Sequence, residues 1–94
     1  MLTVKEAAQA AEKWIRDLYP KSALQHLRLE EVELSDDERY WYITLGWAEP
    51  AVREPLSVSA VLDREVRVLP RVYKTLEVDA HTGIVRSMKI REVA

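Results

Sequence analysis

The sequence predicts an α+β domain, one N-terminal helix packed across an antiparallel sheet of three or four strands. Apolar residues recur at three- and four-residue spacing between Thr3 and Tyr19, as on one face of a helix. Arg39 to Trp47 alternates with the two-residue period of a half-buried strand. Arg71 to Glu92 holds two more alternating runs joined by Asp79-Ala80-His81-Thr82-Gly83, the composition of a hairpin turn.

The helix stripe is Val4, Ala7, Ala8, Ala11, Trp14, Ile15 and Leu18, with Lys5, Glu12, Lys13 and Arg16 on the wet side. Thr3 followed three residues later by Glu6 fits a capping box, which satisfies two otherwise unpaired amides. Pro20 stops the helix because proline brings no amide and disfavours helical geometry at Tyr19. Small alanines on the stripe let the helix lie close to a sheet, while Trp14 and Ile15 supply bulk.

Leu24 to Leu34 reads as a strand with a defect, or alternatively as two short segments. Leu27 and Leu29 share one parity, Val32 and Leu34 the other, and Glu30-Glu31 sits at the phase change as a bulge would. Ser35 to Glu38 is a polar turn. In the next strand Trp41, Ile43, Leu45 and Trp47 lie on one face and Tyr40, Tyr42 and Thr44 on the other. Pro50 and Pro55 argue against a regular central strand, so residues 48–65 read as a long, partly mobile connection within a single domain, 1–94. Val66 and Val68 begin a new alternation that Pro70 interrupts.

In the last hairpin Val72, Leu76 and Val78 must share a side with Ile84, Met88 and Ile90. That parity requires an odd loop, and His81-Thr82-Gly83 supplies one, with Gly83 left-handed. Asp79 is placed to accept from amides inside the turn. Trp41, Ile43, Leu45, Leu76, Val78 and Met88 are then expected against Ala8, Ala11 and Ile15.

The segment Glu77-Val78-Asp79-Ala80-His81-Thr82-Gly83-Ile84-Val85 resembles the VDA-x-TG-x-V hairpin of PepSY and PepSY-like domains. The helix beginning Thr3-Val4-Lys5-Glu6-Ala7-Ala8 and the tryptophan-bearing strand suit the same pattern. The resemblance implies a PepSY/cystatin-like fold and an inhibitory, chaperoning or ligand-binding module, not an enzyme. The chain departs from the family in lacking a secretion signal and in its proline-containing connection, which points away from a secreted propeptide.

Composition narrows the function classes. The chain has 94 residues, a net charge of −2 from 14 basic and 16 acidic residues, 48% apolar residues and no cysteine. It is sized for one modest core, has no disulfide or thiol chemistry, and lacks the charge that draws proteins to nucleic acid or anionic membranes. Neither a signal peptide nor a membrane span is legible, so a cytoplasmic location is expected. His26 and His81 fall on different elements, with no cysteine to complete a zinc site. The acidic stretch Glu30 to Glu38 has neither the glycine nor the spacing of a calcium loop. No serine sits in a nucleophile elbow, and two glycines make no phosphate loop. No enzyme activity, metal or cofactor is expected.

What remains is the sheet face away from the helix. Alternation places Tyr40, Tyr42, Arg71, Tyr73, Lys89 and Arg91 there, beside Thr44, Thr75 and Ser87. Tyrosine and arginine suit protein contact because they join large area to a polar handle. The expectation is a contact patch for a protein partner or a second copy. The alternative is a small-ligand-binding domain, enzymatic or not, with a pocket between helix and sheet.

Overall fold

The computed structural model describes residues 1–48 and 71–92. The elements are α1 (Val4–Leu18), a 3₁₀ turn (Lys21–Ala23), β1 (Gln25–Leu34), β2 (Tyr40–Ala48), β3 (Arg71–Asp79) and β4 (Val85–Ile90). The fold is α+β, with the helix on one face of a four-stranded antiparallel sheet of order β1-β2-β3-β4. The reading of 48–65 as a mobile connection, and of Val66, Val68 and Pro70 as the approach to the last hairpin, lies outside the described residues except at Ala48. That residue ends β2 and pairs with Arg71, the first residue of β3.

The helix begins as its sequence dictates. The Glu6 amide donates to the Thr3 hydroxyl at 3.2 Å, and the Thr3 amide to the Glu6 carboxylate at 2.9 Å. Ala7, Ala11 and Ile15 are buried on the sheet, whereas Ala8 is half-buried and Val4 and Leu18, at the stripe's ends, are exposed. The short side chains of Ala7 and Ala11 bring the helix close to Ile43, Leu45, Leu76 and Val78, which are all buried. Trp41 and Met88 are half-buried, at the margin of this core. The Trp41 indole N–H donates to the Leu2 carbonyl, and the Leu2 amide to that of Ala80, which moors the residues before α1 to the sheet. At the other end of β2, Tyr19 packs on Trp47 with ring centroids 5.7 Å apart.

β1 carries its register shift at Glu30, between Leu29↔Leu45 and Glu31↔Thr44, as the phase change predicts. A second shift lies between Gln25 and Arg28, where His26 has φ 56°.

The β3–β4 hairpin corrects the loop reading. Asp79 faces Ile84, the Asp79 amide donating to the Ile84 carbonyl, so the loop has four residues, Ala80 to Gly83. Gly83 is left-handed as expected, with φ 77°. An even loop puts odd opposite even, and Val78 pairs with Val85. One extra residue, Arg86, then makes a bulge that restores Glu77↔Ser87 and Leu76↔Met88. Ile84 therefore does not join the core; it is 66% exposed, and Val85 packs there instead.

Candidate protein-contact face

The sheet face away from the helix is built by β2, β3 and β4. Tyr42↔Glu77, Thr44↔Thr75 and Gly46↔Tyr73 form successive rows of β2 on β3, and β4 adds Ser87 to the first and Lys89 to the second. The Thr44 and Thr75 hydroxyls are 2.9 Å apart, and the Ser87 hydroxyl donates to the Glu77 carboxylate at 3.2 Å. Thr44 is only 5% exposed although it faces away from the helix.

Each guanidinium expected on this face is held by a carboxylate. Arg71 donates to Glu30 at 3.0 Å and to the His26 carbonyl at 3.3 Å. The Arg71 and Glu30 side chains are 20% and 22% exposed. Arg28 donates to the same Glu30 oxygen at 2.6 Å. Arg28 first, then Arg71, hold the Glu30 carboxyl below the usual carboxylate range. Arg91 donates to Glu31 at 3.2 Å. Since Glu31 lies on β1 and the Arg91 amide bonds to Tyr73 of β3, that ion pair reaches across both inner strands.

Gly46 makes the Glu30 contact possible. A Cβ there would lie 2.9 Å from both Glu30 Cγ and Oε1, and 3.0 Å from Tyr73 Cδ1. The Glu30 side chain thus occupies the space that a side chain at Gly46 would fill, between β1 and Arg71.

The tyrosines sit half-buried on this scaffold. The Tyr40 hydroxyl accepts from Arg86 at 2.6 Å, and the Arg86 and Arg39 guanidinium carbons lie 5.3 and 5.8 Å from its ring centroid, within cation–π range. Tyr73 lies against Gly46 and Glu30. Tyr42 and Lys89 have no side-chain hydrogen-bond partner among the described residues. Sequence reasoning brought Tyr40, Tyr42, Arg71, Tyr73, Lys89 and Arg91 to one face, but missed Glu30, Glu31, Gly46 and Arg86, which fix them. A lone glycine inside an aromatic strand was the available signal, because such a residue often marks a close approach.

The hairpin loop is organised separately. Asp79 accepts from the amides of Thr82 and His81 at 2.8 Å each, and these bonds lower its carboxyl below the usual range. Among the described residues no group of histidine and carboxylate side chains could hold a metal ion. No described helix is long and apolar enough to cross a membrane. Comparison of the chain with protein-family models, curated proteins and solved structures finds no match.

Proposed function

We propose that this chain is a PepSY-like, non-catalytic cytoplasmic module that binds a protein partner through the tyrosine-bearing face of its sheet. The observation that carries the reading is that three side chains of this face, Arg71, Arg91 and Tyr40, are already held in place. Arg71 and Arg91 are pinned by Glu30 and Glu31, and Tyr40 by Arg86. Side chains ordered before contact lose less rotamer freedom on binding, so more of their contact energy appears as affinity. Packing on the other face supports the same choice over a ligand between helix and sheet. Ala7, Ala11, Ile15, Ile43, Leu45, Leu76 and Val78 meet there, none more than 2% exposed.

The carboxylates also change the kind of partner expected. Sequence alone suggests an aromatic, basic face; Glu30 and Glu31 neutralise much of that charge locally. Recognition then rests on tyrosine area and hydrogen bonding, and depends little on salt. The same neutralisation weighs against nucleic acid, whose binding needs unpaired cations along a phosphate track.

The test is quantitative capture from lysate by the wild type and by the Tyr42→Ala/Tyr73→Ala variant, with partners identified by mass spectrometry and each affinity then measured with purified protein. Truncating central aromatic anchors costs about 2 kcal/mol or more where they carry binding. Loss of affinity at nearly unchanged melting temperature is expected. Equal affinity for every partner would reduce the face to an ordinary wet sheet surface.

A further inference from the structure

We propose that the outer edge of β4, unpaired among the described strands, is a self-association site, at which two copies pair β4 with β4, antiparallel about Met88, and extend one sheet across both chains. The two outer strands differ as templates. β1 is interrupted by two register shifts and carries Glu30, Glu31 and Glu33, features that blunt an edge. β4 runs in unbroken register from Ser87 to Ile90, and no described strand lies on its other side. The Arg91 amide bonds inward to the Tyr73 carbonyl. Antiparallel alternation therefore turns the N–H and C=O groups of Met88 and Ile90 outward.

Side chains select the register. Matching faces, and matching outward groups, leave pairings centred on Met88, Lys89 or Ile90. Centring on Lys89 sets Lys89 against Lys89 of the second copy, and centring on Ile90 sets it against Arg91; like charges directly opposite destabilise a sheet. Centring on Met88 instead sets Lys89 against the second copy's Ser87, whose hydroxyl is bonded to Glu77. The exposed ammonium then reaches a carboxylate, twice by two-fold symmetry. On the helix side, Ile90, 72% exposed, comes within diagonal reach of the second copy's Met88. Lys89 and Glu77 share the sheet face with the tyrosines, but Tyr42 and Tyr73 lie on β2 and β3, inside the β4 edge, so the Tyr42→Ala/Tyr73→Ala variant separates the two contacts.

Sedimentation equilibrium of the full chain over a wide concentration range tests this. The wild type is expected to dimerise. Lys89→Glu should weaken the dimer about tenfold or more, because it sets carboxylate against carboxylate. Lys89→Glu/Glu77→Lys should recover most of the loss. Ile90→Pro removes an outward amide but none bonded to β3, and should leave a folded monomer by circular dichroism. Should that variant unfold, Lys89→Glu decides, since its side chain is exposed. A wild type that stays monomeric to millimolar concentration overturns the proposal. So does a dimer indifferent to Lys89→Glu, or one lost in Tyr42→Ala/Tyr73→Ala, which would put the self-contact on the tyrosine face.

Discussion

Replacing Gly46 by alanine sets two effects of opposite sign against each other. Glycine in a strand interior costs roughly 0.5–1 kcal/mol relative to alanine through backbone entropy, so the substitution should stabilise by about that much in open space. The space is not open. The new methyl would sit 2.9 Å from Glu30 Cγ and Oε1, and the Glu30 side chain must swing away. Arg71 then loses its carboxylate. A surface ion pair contributes about 0–1 kcal/mol, and leaving a mostly covered guanidinium short of an acceptor adds roughly 1 kcal/mol. The terms nearly cancel, and Gly46→Ala alone should destabilise by no more than about 1 kcal/mol. The informative quantity is therefore the coupling. In a Glu30→Ala background the methyl meets no carboxylate, and Gly46→Ala should be neutral or stabilising. Urea unfolding of the wild type, both single variants and the double variant gives the cycle, and a coupling of about 1–2 kcal/mol is expected. A coupling under about 0.5 kcal/mol, with Gly46→Ala equally harmful in both backgrounds, would place the conflict at Tyr73 and refute the role assigned to Glu30.

Two further outcomes can be checked by unfolding. Gly83→Val should cost more than about 1 kcal/mol, because a β-branched residue resists φ 77° and its Cβ would lie 3.2 Å from Leu2 Cδ1; a loss no greater than for Gly83→Asn would sink that account. Glu6, Glu30, Asp37 and Asp79 all have carboxyls held below their ordinary values by hydrogen bonds, to Thr3, Arg28, Ser35 and the Thr82 amide first in each case. Folding therefore favours their ionised forms. The stability they contribute is complete above the unfolded-chain values and is lost as pH falls through the lower folded values, so the melting temperature should drop across and below the ordinary carboxylate range. A melting temperature that rises on acidification through that interval would contradict the sign.

Much of the fold was legible because its signals are local. Thr3 and Glu6 are three residues apart, so their reciprocal bonds can be read without knowing what the helix meets. The bulge at Glu30 announces itself as a change of parity within one strand. The β3–β4 loop shows where such reading stops. Parity fixes a hairpin only modulo two, so a three-residue loop, or a four-residue loop with one bulged residue, gives the same faces from Ser87 onward. The two differ at Ile84 and Val85, where the sequence offers an apolar residue for either solution. The face was legible as a set of residues and not as a set of contacts. Glu30 meets Arg71 and Glu31 meets Arg91 across separations of 41 and 60 residues, and only the assembled register of four strands decides such pairs.

The Ala48↔Arg71 pairing has a bearing on how this chain can vary. Nine consecutive pairs join β2 to β3, so the sheet itself holds together the two ends of the segment 49–70. For a flexible segment, closure entropy grows only with the logarithm of length, and doubling or halving it shifts stability by about 0.6 kcal/mol. A change of length between Ala48 and Arg71 leaves the β2–β3 register untouched, whereas one residue added between Val85 and Ile90 would turn the rest of that strand inside out. Tolerance to length change in this chain is set by where the ladder is already closed.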